Sequence, residues 1–217
     1  MIELYEATFQ AEWLRWAVSL TGEMLSLFGT GNGALRFAPA GHEETLPVFR
    51  DAYDGAVPAG NSVAALNLLR LGRMTGRSEW EERGEAIIGS FGESVGLSPA
   101  SFTMMLCAVD FWLGPTGEVV LAGATGSEQV ERMAAAMREH YHPDWLVLFH
   151  PAGVERKEIE SVAPFVAEMN APEGQAAAYI CRNRSCQAPV NSVNALKELL
   201  AGQDRLCHTV INGSKRG

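Results

Sequence analysis

The stretch "FTMMLCAVDFWLGPTGEVVLAG", residues 102–123, holds two hydrophobic patterns separated by Gly114-Pro115. Up to Leu113 it is apolar nearly all round, as in a helix buried on more than one side. Beyond the Gly-Pro break, "EVVLAG" (118–123) is a short apolar run bounded by glycine, the pattern of a buried strand. The change of period predicts an α+β chain of two domains. Helical hairpins would fill 1–114, a small α/β domain 115–205, and a loose tail 206–217.

Before the break the pattern is helical. From Ala11 to Phe28, apolar residues recur at Leu14, Ala17, Val18, Leu25 and Phe28, and Trp13, Trp16, Leu20 and Met24 widen the stripe. "GTGNG" (29–33) ends that helix, and "ALRF" reads as a short strand followed by a loop. Asn61 or Ser62 is expected to cap a helix from Val63 to about Met74, apolar on most of its circumference. Ser78 and Glu81 have the spacing of a capping box for a helix reaching about Val95. Pro99 suits the first turn of a further helix, Ala100 to Leu113. Short turns between successive helices imply hairpins packed side by side.

After the break, Ser127 caps a helix predicted from Glu128 to His140, and "WLVLFH" (145–150) is a second strand. Strand, helix and strand within about thirty residues is the length of a right-handed βαβ unit, so a mainly parallel sheet is expected. A helical patch at 155–168, a third strand in "AAAYICRN" and a helix from Ser192 to Leu200 complete this half.

The composition excludes several function classes. Apolar residues at 47% and charged residues at 20% over 217 positions are ordinary for a globular protein with a substantial core. No apolar run approaches the roughly 20 residues needed to cross a bilayer, so no membrane partner is expected. A net charge of −9 opposes nucleic-acid binding, and the basic clusters at Arg182–Arg184 and in the "KRG" tail are small. "MIELYEATF" carries acids where a secretory signal needs basic residues, and four cysteines make no disulfide framework, so a cytoplasmic location is expected.

"YDGAVPAGNSVAALNLLRLGRMTG", "FTMMLCAVDFWLGPTGEVVLAG" and "AAAYICRNRSCQAPV" together resemble the C-terminal part of the spermatogenesis-associated thioredoxin-domain family. The likeness runs from about Met1 to Leu200. It implies a much longer protein with three parts: a thioredoxin-like domain, an (α/α)6 toroid of the six-hairpin type found in N-acylglucosamine 2-epimerases and glycoside hydrolases, and a small α/β end. This chain would then hold the last helical hairpins of a partial (α/α)6 toroid and the α/β end. By the same resemblance, Asp51, Tyr53, Asp54 and Asn61 would stand at the rim of a central funnel and contact a sugar-like small molecule. The fragment alone would be inactive. Toroid helices cut from their neighbours would expose apolar faces larger than a monomer usually tolerates, so a homo-oligomer burying helices 9–28 and 63–74 is expected.

Read without the resemblance, Asp51 and Asp54 are two carboxylates three residues apart in "DAYDGAVPAGN". They suit general acid and base work if their environments separate their pKa values, or they organise the turn and cap the adjacent helix. Cys181 and Cys186, spaced C-x4-C, match neither the common redox motif nor the common zinc knuckle. They read as a redox pair, as thiols, or with Cys207 and His208 as a zinc set. The redox pair supports an alternative function, a redox-linked protein-interaction module that would act with a thioredoxin-like domain. His140 and His142 sit at a helix end, His42 in a polar loop, and His150 after a strand where α/β sheets place ligands. "GATGS" (123–127) lacks the lysine of a P-loop and the third glycine of a dinucleotide fingerprint, and no cofactor or metal is expected. Cys107, Met104 and Met105 read as core.

Overall fold

A computed structural model describes residues 1–31, 33–39, 51–139, 141–182 and 185–201. His42, His140, Cys207, His208 and the tail lie outside them. The chain divides into two compact units, Met1–Gly114 and Pro115–Gly217.

The first unit is helical: α1 (Ile2–Thr8), α2 (Ala11–Phe28), α3 (Gly60–Thr75), α4 (Ser78–Leu97) and α5 (Thr103–Leu113). Its core is α3, which packs against both α4 and α5. Ala64, Ala65, Leu68, Leu69, Leu71 and Met74 of α3 are all buried, as an apolar circumference requires. Gly76, at φ 73°, closes α3 in the left-handed conformation that glycine adopts without a Cβ penalty. On α4, Trp80, Gly84, Ile87 and Ile88 form one buried stripe at i, i+4, i+7 and i+8. Arg70 of α3 reaches back to the carboxylates of Glu3 and Glu6, tying α1 to the core.

Several helix boundaries differ from those expected. The N-cap of α3 is Ala59, and Asn61 and Ser62 lie inside its first turn, bonded to the chain that precedes it. Ser78 is likewise within α4, after Arg77, and caps nothing. Arg77 N–H instead closes onto the Gly72 carbonyl at 2.8 Å, and Glu81 faces Arg73 at 3.6 Å. The helix predicted from Ala100 is divided into a 3-10 turn, Pro99–Ser101, and α5. "ALRF" is no strand: Ala34 and Leu35 are buried, but the Leu35 backbone pairs with a side chain, Asn61. Cys107, expected in the core, is exposed, whereas Met105, two residues earlier and so on the other side of α5, is buried. Of the two helices expected to offer apolar interfaces, α3 is covered within its own unit. α2 buries Leu14 and Ala17 and leaves Trp16, Leu20 and Leu27 exposed.

The second unit contains β1 (Gly117–Gly123), α6 (Glu128–Arg138), β2 (Trp145–Pro151), α7 (Arg156–Glu160), β3 (Ala177–Arg182) and β4 (Ser185–Cys186). Residues 193–201 are helical, with the Ser192 hydroxyl accepting from Ala195 N–H at 3.2 Å. The sheet order is β2-β1-β3-β4. β1 and β2 are parallel, from Gly117 opposite Trp145 to Gly123 opposite Pro151. Ser127 caps α6 through Val130 N–H at 3.3 Å, and Val130, Met133, Ala134 and Met137 are buried.

The sheet is mixed, which corrects the mainly parallel expectation. β3 runs antiparallel to β1, with Gly117 opposite Arg182 and Ala122 opposite Ala177. Between β2 and β3, residues 152–176 form two 3-10 turns, Gly153–Glu155 and Pro164–Glu168, and the five-residue α7. None of these is a helix that could carry the chain back along the seven-residue β2 as a crossover does. β3 therefore starts at the end of the sheet where β2 stops, with Ala177 opposite Ala122 and Pro151 opposite Gly123, and runs in the reverse direction. Gly117 lies between Trp145 and Arg182, and a Cβ there would come within 2.5 Å of the indole. Across that gap the Arg182 guanidinium stacks on Trp145 at 4.5 Å. Among the described residues, no helix is long and apolar enough to cross a membrane.

Candidate functional site

The bend from Asp51 to Gly60 is built by two buried polar side chains. Asp54 is 8% exposed, and its carboxylate accepts from three backbone N–H groups. Oδ1 takes Ala59 N–H at 2.8 Å, and Oδ2 takes Met104 and Met105 N–H, each at 2.9 Å. Those last two donors belong to the first turn of α5, where four N–H groups lack intrahelical partners and a negative charge is favoured. The Asp54 N–H in turn donates to the Ser101 carbonyl at 2.9 Å. One residue therefore fixes the entry to α3 and caps α5.

Asn61 is the second fixture. Its amide oxygen accepts from Leu35 N–H at 2.7 Å, and its Nδ2 donates to the carbonyls of Leu35, 3.1 Å away, and Asp51, 2.9 Å away. Ser62 adds a bond from its hydroxyl to the Ala52 carbonyl. An asparagine inside a helix that satisfies both its donors and its acceptor locks two loop segments against that helix.

With Asp54 and Asn61 engaged internally, the bend shows other groups to solvent. Asp51 is exposed and its Oδ1 accepts from Tyr53 N–H at 2.8 Å, an Asx-turn. Tyr53 is 59% exposed. The outer surface of the bend thus offers an aromatic ring and a carboxylate, from residues two apart in sequence. Asp54, held by three backbone donors, is engaged in structure and does not face solvent together with Asp51.

In the second unit, Cys181 and Cys186 occupy opposing positions of β3 and β4 and are joined by a disulfide. Neither sulfur is a free thiol able to ligate zinc. Among the described residues, no group of three His, Cys, Asp or Glu side chains is placed to hold a metal ion. His150 is 2% exposed: Nδ1 lies 2.8 Å from the Met169 carbonyl and Nε2 lies 3.0 Å from Glu160. Its ring thus joins the end of β2 to α7 and the segment after it, a partnership that no local pattern announces. In "GATGS", Ser127 caps α6 and the Thr125 hydroxyl bonds Glu155.

No protein-family model matches the chain. Curated relatives do. The chain is 29% identical to spermatogenesis-associated protein 20 of Homo sapiens over 202 residues, which is 92% of this chain and 26% of that protein. The Rattus norvegicus protein of the same name is 28% identical over 202 residues, with the same coverage of each chain. An uncharacterized Caenorhabditis elegans protein is 24% identical over 199 residues, 92% of this chain and 27% of its own length. The chain spans about a quarter of the length of the curated relatives it matches.

Proposed function

We propose that the chain works as the C-terminal portion of a longer protein homologous to spermatogenesis-associated protein 20. Its helical unit forms part of an (α/α) toroid, and the Asp51–Tyr53 edge contacts a sugar-like ligand. The chain contributes binding and no catalysis of its own. The observation that carries this reading is the division of labour in the bend. Asp54 and Asn61 are engaged by the backbone, while an aromatic face and a carboxylate are left exposed on a firmly held turn. Aromatic faces pack against the apolar side of a sugar ring, and carboxylate oxygens accept from its hydroxyls. An acid and base pair has less support, because Asp54 is committed to three backbone donors.

The test uses the full-length protein that contains this segment. Saccharides at saturating concentration are expected to raise its melting temperature by about 3 °C. Tyr53→Ala should abolish the rise without lowering the melting temperature of the unliganded protein, and Asp51→Ala should abolish it with the small loss of stability that removing the exposed Asx-turn bond brings. A rise that survives in both variants, or no rise with any saccharide, overturns the reading.

The same reading has the outer stripe of α2, formed by Trp16, Leu20 and Leu27, covered by neighbouring hairpins in the longer protein and by a second copy when this chain stands alone. Trp16, Leu20 and Leu27 recur at four and seven residues and so fall on one face of the helix, beside the face that buries Leu14 and Ala17. Sedimentation of the isolated 217-residue chain should give a dimer that Leu20→Glu converts to a monomer. A wild-type monomer would end this part of the proposal.

A further inference from the structure

The structure places Cys181 and Cys186 so that the inner sulfur is shielded and the outer one is open. We propose that this pair is a thiol–disulfide exchange site that takes a small dithiol or glutathione-class thiol, with Cys186 as the attacked sulfur and Cys181 as the resolving one. This goes beyond the ligand contact proposed for the helical unit and does not depend on it.

Three observations carry the inference. Cys181 is 4% exposed within β3, whereas Cys186 is exposed on the two-residue edge strand β4. An incoming thiolate therefore has access to one sulfur of the bond and not the other, and access decides which sulfur is attacked. Backbone pairing on both sides also holds the two residues opposite one another. Arg182 faces Ser185 on one side, and on the other Gln187 N–H donates to the Ile180 carbonyl at 2.9 Å. Ala178 and Val190 exchange two further backbone bonds, at 2.7 and 3.0 Å. Finally, the bond joins residues only five apart in sequence. A loop that short removes little conformational freedom from the unfolded chain, so the bond adds less to stability than a long-range disulfide would.

The chemistry balances with the dithiol as reductant. Its first thiolate attacks Sγ of Cys186 and the Cys181–Cys186 bond breaks. The Cys181 sulfur leaves with the electron pair and takes a proton from solvent. The second thiolate of the reductant then attacks the reductant sulfur of the mixed disulfide. Cys186 departs and is protonated in turn. Two electrons and two protons pass to the protein, and the reductant leaves as a disulfide. With the ladder intact the two thiols remain adjacent, and glutathione disulfide runs the sequence backwards.

The experiment uses the intact chain carrying Cys107→Ser and Cys207→Ser, so that the pair is the only thiol source. Native protein is treated with dithiothreitol, alkylated and weighed, and a parallel sample is reoxidised with glutathione disulfide. Both cysteines are expected to be alkylated after native reduction, with the far-ultraviolet circular dichroism unchanged, and the bond is expected to return on reoxidation. Cys181→Ser should leave Cys186 as a stable mixed disulfide with glutathione. In Cys186→Ser, the buried Cys181 should react about ten-fold more slowly or less. A bond that resists dithiothreitol until denaturant is added overturns the proposal. So does loss of secondary structure on reduction, or equal reactivity of the two single variants. Wild-type reduction and reoxidation decide the matter even where a variant folds poorly.

Discussion

Replacing Asp54 with alanine is expected to lower the unfolding free energy of the helical unit by about 3 to 4 kcal/mol, read as a shift of the urea midpoint at constant slope. The change orphans Met104 N–H and Met105 N–H at the start of α5 and Ala59 N–H at the start of α3. Helix caps alone cost about 1 kcal/mol when truncated, and hydrogen bonds to a charged group about 1.5 to 3. The site is 8% exposed, so little water replaces the lost acceptor. A domain is usually stable by only about 5 to 15 kcal/mol, which makes this a large fraction of the total. Asp54→Asn keeps one acceptor oxygen and should cost about half as much. A loss below about 1 kcal/mol for Asp54→Ala would show that the three donors find other partners, and the cross-link described for this residue would be wrong.

The second large effect lies at a tight contact between α3 and α4. Gly84 of α4 faces Ala65 and Leu69 of α3, and a Cβ there would sit 2.9 Å from Leu69 Cγ and 3.0 Å from the Ala65 carbonyl oxygen. A side-chain tip can move aside, but a helical carbonyl cannot without parting the helices. Gly84→Leu is expected to destabilise the unit by about 3 kcal/mol or more, despite the higher helix propensity of leucine. Gly89→Leu on the same helix is the control, since nothing lies within 4 Å of a Cβ added there. That variant should be neutral or slightly stabilising, by up to about 0.8 kcal/mol. Equal effects at the two positions would mean that α3 and α4 are not in the contact described.

Features that depend on neighbours in sequence were legible. The presence of a helix reaching about Val95, the cap at Ser127, the parallel pairing of β1 with β2 and the interruption at Gly114-Pro115 all follow from periods and local residue chemistry. Features decided by distant partners were not. Asp54 has the same surroundings in sequence whether it meets a ligand or the first turn of a helix fifty residues downstream. Only the fold brings Met104 and Met105 to it. Asn61 read as a cap because asparagine is common there, yet its real partners are Leu35 and Asp51. The direction of β3 was misread because strand periodicity carries no sign. What goes with the reversal is that residues 152–176 form two 3-10 turns and a five-residue helix in place of one crossover helix, a division that a hydrophobic pattern resolves poorly. Cys107 failed for a simpler reason: a helix apolar all round hides which of its sides meets solvent.

The order β2-β1-β3-β4 also shapes the birth of the second unit. On a ribosome, β1 and β2 can meet as soon as α6 lies between them. The other edge of β1 then stays bare until the far later segment Ala177–Arg182 has cleared the exit tunnel. During that interval the nascent chain carries an open strand edge that is mostly apolar, the kind of surface that chaperones hold and neighbouring chains on a polysome can capture.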